Sequence, residues 1–389
     1  MKIASAVPFH FNVEISKLTK LMTIGVVLTI IGFFLPISSK ASNNIFYGLV
    51  LLPFIISLFT KERYHYSLGD LSPYYFFFVI VMGLFAFPDE PVKAIKYVIY
   101  LVCFWVVVTT IVSRQILNEK KFAIWLMAIT FVFCFSLLFI HFIINGEPIS
   151  SRPNFWATWR SGSPINACML LVFFTAVGIA TLPKYLQLPL GVSAILVSLI
   201  IQSLFQTRSG IAGLLGAGTF MVLAMMANKK MIGQAFFITI SILIVGIVIL
   251  YHLDFFDILV ARGNSYRSEL YRVTFSEYLT CNKFTGCGYN YEFQSTLTGG
   301  IHIAHPHSIY GSLLLYLGPV SLIALLVLLL KAFLMNLKTT SPWFYGVAAS
   351  SAFFLVDGKN ILDHPNIIWV CLILPLAIID GQSKLKKLA

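Results

Sequence analysis

Charge is what this sequence has least of. Only 11% of its 389 residues are Asp, Glu, Lys or Arg, against roughly 25% in ordinary soluble domains. That scarcity excludes a soluble globular domain and a charged disordered chain. Low-complexity segments are absent, and so are internal repeats of roughly 20–50 residues. There is no Gly-rich phosphate loop of the nucleotide-binding kind, and no cysteine spacing that makes a metal site. No cleavage pattern follows the first apolar run, so that run is expected to stay as an anchor. What is present is apolar residues, 58% of the chain, at a mean hydropathy of +0.88. They extend from end to end in continuous runs, which excludes a single anchor and argues against the alternating strands of a barrel. The expected class is an all-α polytopic membrane protein.

A bilayer core needs about 20 apolar residues per helix. Twelve stretches qualify, near 21–38, 44–60, 73–88, 93–113, 121–144, 164–183, 187–206, 210–228, 231–251, 309–336, 342–356 and 366–380. The expected organisation is nine spans within 1–251, one long outer loop at 252–308, and three spans with a tail within 309–389. Twelve spans put both termini on one side. That side holds 16 of the 27 basic residues, in short loops, which marks it as cytoplasmic. The net charge of +12 is then a topology signal and no sign of nucleic acid.

The basic residues also divide by type. The cytoplasmic side has 14 Lys and 2 Arg; the outer side has 5 Lys and 6 Arg, at 152, 160, 208, 262, 267 and 272. Insertion bias does not favour Arg outside. The guanidinium fork grips phosphate or carboxylate at two points, so an anionic, phosphorylated ligand is expected there. Snorkelling, or pairing with Asp254, Asp257 or Glu269, is the alternative for any one of them.

Three outer segments carry the polar chemistry. Gln206-Thr207-Arg208-Ser209-Gly210 is a very short turn that sets an Arg at the membrane boundary, where a charge is costly. Residues 151–164 contain Arg152, Arg160, Trp156 and Trp159; the tryptophans either stack on sugar rings or belong to an interfacial belt. The long loop predicts a helix over about 266–280, capped by Asn264 or Ser265, with Leu270, Val273 and Tyr278 packed. Cys281 and Cys287 follow it, with five residues between them, in what should be an oxidising compartment, so a local disulfide is one reading. Cys103, Cys134, Cys168 and Cys371 lie within spans as buried thiols. The loop ends on His302-Ile303-Ala304-His305-Pro306-His307-Ser308. A polar entry turn, a metal site and a proton-transferring histidine are all open readings of it. The next span contains Gly318-Pro319, which suits a kink or close packing. Asp357-Gly358-Lys359-Asn360 and Asp363-His364 make the last outer loop, either flanking a site or solvated.

Three local patterns together resemble the O-antigen ligase family, within the wider group of O-antigen ligases and polymerases. They are the short turn with Arg208, the Arg267-led helix running into Gly286-Cys287-Gly288, and His307-Ser308 followed after nine residues by Gly318. Ser321 stands where the family pattern has Gly, Thr or Tyr. The resemblance implies a GT-C-type, metal-independent glycosyltransferase of the bacterial inner membrane with its active site facing the periplasm. It implies a glycan donor on undecaprenyl pyrophosphate, lipid A core as acceptor, surrounding membrane lipids, no cofactor, and inversion at the anomeric carbon. Fixed guanidiniums suit charge growing on a pyrophosphate leaving group. Arg208 and Arg267 are therefore assigned to the pyrophosphate, with Arg160 third and Arg152 and Arg272 of second rank. His307 is assigned as base or hydroxyl orienter, with His305 the alternative. The competing readings are an O-antigen polymerase, a protein O-glycosyltransferase and, more distantly, a lipid-linked glycan transporter.

Overall fold

The computed structural model describes residues 16–61, 66–155, 159–227, 266–297, 300–338 and 340–388. The expected ninth span, 231–251, lies outside these residues. So do Asp254, Asp257, Arg262, Asn264 and Ser265 of the long loop, and Trp156. The described helices are α1 (Lys17–Ile31), α2 (Ser39–Leu58), α3 (Ser72–Ala86), α4 (Pro91–Ser113), α5 (Glu119–Ile144), α6 (Pro164–Thr181), α7 (Lys184–Leu204), α8 (Ser209–Ala227), α9 (Arg267–Thr280), α10 (Ile309–Lys338) and α11 (Pro342–Phe353). Last comes α12, a π turn Trp369–Ile373 continued by Leu374–Leu388. A short antiparallel hairpin, β1 (Ser295–Leu297) and β2 (Ile301–Ile303), is the one departure from helix among the described elements. Among the described residues, seven helices (α2, α4 to α8 and α10) are long and apolar enough to cross a membrane. This fits an all-α polytopic protein.

Side-chain caps set several helix starts. Ser16, Ser38, Asn118, Ser163 and Ser341 each accept a backbone N–H from the first turn of α1, α2, α5, α6 and α11. Proline occupies the first turn of α3, α4, α6 and α11, where its missing N–H costs nothing. The last helix runs past the expected limit of 380, and Asp380 explains why. Its fully buried carboxylate accepts the N–H groups of Gly69 (3.1 Å) and Leu71 (2.6 Å), the Ser72 hydroxyl (2.5 Å) and Trp105 Nε1 (3.2 Å). A charge so completely satisfied need not end a helix.

Helices α8 and α11 pack closely and antiparallel. The Gly213 position faces the Ala349 carbonyl, Gly216 faces that of Ala348, and Phe220 meets Phe344 and Tyr345. Small residues permit that approach. The start of α8 therefore lies at the same end of the bundle as the finish of α11. Further hydrogen bonds gather the connections at this end. Gln206 Nε2 donates to Ser150 O, Tyr289 N to Ala86 O, and Ile309 N to Phe354 O. Lysine marks the opposite end, where Lys387 pairs with Asp70 at 2.5 Å.

Candidate active site

The polar end is built around a break in α10. Gly318 has φ 72° and ψ 176°, so the helix falls into two pieces, 309–317 and 319–338. That backbone region is open essentially to glycine alone. The break leaves carbonyls without helical partners. Cys287 N–H and Gly288 N–H supply them, donating to Leu315 O and Tyr316 O at 2.8 Å each. Gly286 and Gly288 also have positive φ, 69° and 75°. A Cβ at 286 would lie 2.6 Å from Leu315 O. The Gly-x-Gly turn and the distant Gly318 are thus two halves of one joint. A Cys281–Cys287 disulfide, Cα–Cα 5.1 Å, closes the turn.

The 309–317 piece begins at Ser308, whose hydroxyl accepts Gly311 N–H (3.3 Å) and donates to Phe354 O (3.2 Å). A small polar residue after the histidine therefore caps α10 and ties it to the finish of α11. His307 stands just before it with φ 49°, an uncommon value for a residue with a side chain. Its N–H donates to His305 Nδ1 at 3.2 Å, and the two rings lie 3.7 Å apart. Its own Nδ1 is 3.9 Å from Asp357 Oδ1. Burial, together with neighbouring His307, pushes His305 down to about 4. His305 is thus neutral at pH 7, as an acceptor Nδ1 requires.

Arg267 opens α9, where Tyr266 (φ 50°) occupies the N-cap position with no side-chain capping bond. The same face of α9, continuing from Arg267 at i+3, i+7 and i+11, buries Leu270, Thr274 and Tyr278, with Val273 half-buried. Arg267 Nη1 donates to Val356 O, next to Asp357. Arg267 and His307 are thus held against consecutive residues of one segment. Arg208 is half-buried at the start of α8, at the same end. Arg160 is elsewhere. It donates to Ser42 Oγ, to Asn43 Oδ1 (2.9 Å) and to Pro365 O, and it lies over the Phe33 ring at 4.3 Å. Burial lowers it to about 10. Arg152 and Arg272 are exposed. Trp159 packs against Phe133, centroids 5.6 Å apart.

The last polar loop, left open as site or solvated turn, lines two adjacent cavities of 340 and 330 Å³. His305, Asp357 and Asn360 border the first; Arg160, Asn43 and His364 border the second; Asn166, Asp363 and Asn366 border both. Tyr47 hydroxyl hydrogen bonds to His364 Nδ1, and Tyr97 hydroxyl approaches its Nε2 at 3.5 Å. Asn166, Asn366 and Asn43 escaped the sequence reading because single amides next to apolar spans give no pattern. Asp363 and His364 carried the signal of a dense polar run between two spans. No group of three His, Cys, Asp or Glu side chains gathers to hold a metal among the described residues.

The chain is similar to an O-antigen ligase. That protein, from Pseudomonas aeruginosa, is 24% identical over 272 residues, which are 67% of this chain and 63% of the relative. The match therefore spans less than two thirds of the relative's length. It supports the resemblance carried by the Arg208, Arg267 and His307 patterns. No family model matches the chain.

Proposed function

We propose that the protein is a membrane glycosyltransferase of the O-antigen ligase kind, moving a glycan from undecaprenyl pyrophosphate to a lipid A core hydroxyl. The bundle is read as twelve spans of the inner membrane with cytoplasmic termini and 252–308 in the periplasm. One observation carries the reading. His307, beside Asp357, and Arg267, on Val356, converge on one short segment at the end of the bundle where Arg208 starts α8. A base beside fixed cations is what transfer from a diphosphate needs. His307 takes the proton of the attacking hydroxyl, and Asp357 stabilises the imidazolium. The hydroxyl oxygen bonds to the anomeric carbon as the bond to the pyrophosphate oxygen breaks. Arg208 and Arg267 hold the negative charge that develops there. Arg160 already makes three donations within the protein and serves as a wall.

The test is the lipopolysaccharide profile of a deletion strain carrying His307→Ala, Arg208→Ala or Arg267→Ala. Each variant should insert normally yet leave the core uncapped, with lipid-linked glycan accumulating. Normal ladders in all three end the assignment. Core carrying a single glycan repeat in the deletion strain identifies a polymerase.

A further inference from the structure

The walls of the two cavities have a chemistry of their own. Asp357 stands in the first, where Lys359 offsets its charge, and Asp363 in the partition between them, so that the second cavity has a carboxylate and no cation but Arg160 and His364. Asp363 Oδ1 accepts His364 N–H at 2.7 Å. A carboxylate repels a diphosphate and accepts hydrogen bonds from hydroxyl groups. The cation of the second cavity, Arg160, is already engaged by Ser42, Asn43 and Pro365 and stacked on Phe33.

The amides point the same way. Asn166, in the first turn of α6, borders both cavities, and its side chain hydrogen bonds to no other described residue. Asn360 Oδ1, in the wall of the first, is a buried acceptor with no partner among the described residues. An unengaged amide, offering donor and acceptor side by side, matches vicinal hydroxyls. Unmet polar groups of this kind in a pocket wall mark a place that a polar ligand fills.

We propose that the two cavities are carbohydrate subsites joined at Asn166, and that the one walled by Arg160 receives a sugar of the acceptor glycan while rejecting the diphosphate. Assigning this sugar to the acceptor rests on the transferase reading above. The attacking hydroxyl then lies at the edge of the first cavity near Asp357, whose carboxylate faces His307 at 3.9 Å, and the next sugar of the acceptor reaches across Asn166 into the second. Recognition of carbohydrate as such stands without that reading.

The experiment uses the full-length protein in nanodiscs, free of sugar-headed detergent. In saturation-transfer NMR, core oligosaccharide released from O-antigen-free lipopolysaccharide should receive signal from the wild type. Asn166→Leu, which fills the junction, should abolish it, and millimolar inorganic pyrophosphate should leave it unchanged. Displacement by pyrophosphate, or full signal with Asn166→Leu, overturns the subsites. In transfer assays with lipid-linked glycan, Asn166→Ala should raise KM for the core acceptor about tenfold, as expected for one lost pair of hydrogen bonds. KM for the donor should stay within twofold. A rise confined to donor KM overturns the acceptor assignment. Binding as stated by a wild type that transfers nothing upholds the carbohydrate subsites and removes the transferase reading instead.

Discussion

Replacing Gly318 by alanine tests the joint on which His307 depends. The new Cβ would lie 2.6 Å from the Phe284 carbonyl carbon and 3.0 Å from Gly286 N. Phe284 sits inside the turn closed by Cys281 and Cys287, so it cannot retreat freely. Two costs add. An L-residue at φ 72°, ψ 176° carries about 1–3 kcal/mol of backbone strain. Moving the turn away weakens the hydrogen bonds to Leu315 and Tyr316, about 1 kcal/mol each. The total is about 3–5 kcal/mol. Gly300 supplies the control, with a similar φ of 76° and no atom within 4 Å of its absent side chain. Gly300→Ala should cost only the strain. The assay is the thermal unfolding midpoint of purified protein, read alongside glycan transfer. Gly318→Ala should fall well below Gly300→Ala in midpoint. It should also lose transfer, because 309–317 links the joint directly to Ser308 and His307. Equal midpoints for the two variants would refute the packed-joint reasoning.

Two further outcomes follow from the structure. Folded His305 titrates near 4, below its ordinary 6.5, so between those values the unfolded chain binds more protons. Its contribution to stability is therefore complete above pH 6.5 and is lost as pH falls towards 4. The midpoint of the wild type should decline more steeply from pH 7 to 4.5 than that of His305→Gln; identical slopes would count against a neutral buried ring. At the opposite end, Asp380→Ala leaves four donors unmet and should destabilise by at least about 3 kcal/mol. A midpoint unchanged in Asp380→Ala would mean that the carboxylate is not the clamp between α12 and the 69–72 turn.

Helix was legible wherever a long apolar run met a capping residue. Ser163-Pro164 and Ser341-Pro342 start α6 and α11 where the sequence put them, and Gly318-Pro319 makes the expected kink. Other limits were hidden because hydropathy counts a charge as a stop. Asp380 is charged yet satisfied, so α12 runs on to Leu388. The β1–β2 hairpin left no signal, since three-residue strands are too short to show alternation. For the proposed site, the sequence could nominate only residues that belong to a local pattern: Arg208, Arg267, His307 and Gly318. Their distinct duties were not. Arg160 looked like another anion ligand, and only contacts over a hundred residues away, at Ser42, Asn43 and Pro365, show it occupied as a wall. The amides of the cavities are single residues from separate helices, and sequence spacing carries no trace of their meeting.

The short helix α11 links the elements that carry three distant sequence patterns. Arg208 immediately precedes α8, which is keyed to α11 by Gly213 and Gly216 against the carbonyls of Ala349 and Ala348. Ser308 and Ile309 both donate to Phe354 O, one residue past the end of α11. Arg267 donates to Val356 O two residues later, and Asp357 follows with its carboxylate towards His307. The hydrogen-bonded anchors use the carbonyls of Phe354 and Val356, one and three residues past the C-terminus of α11. The placing of Arg267 and of the chain at His307 is therefore tied to the segment that follows one helix end.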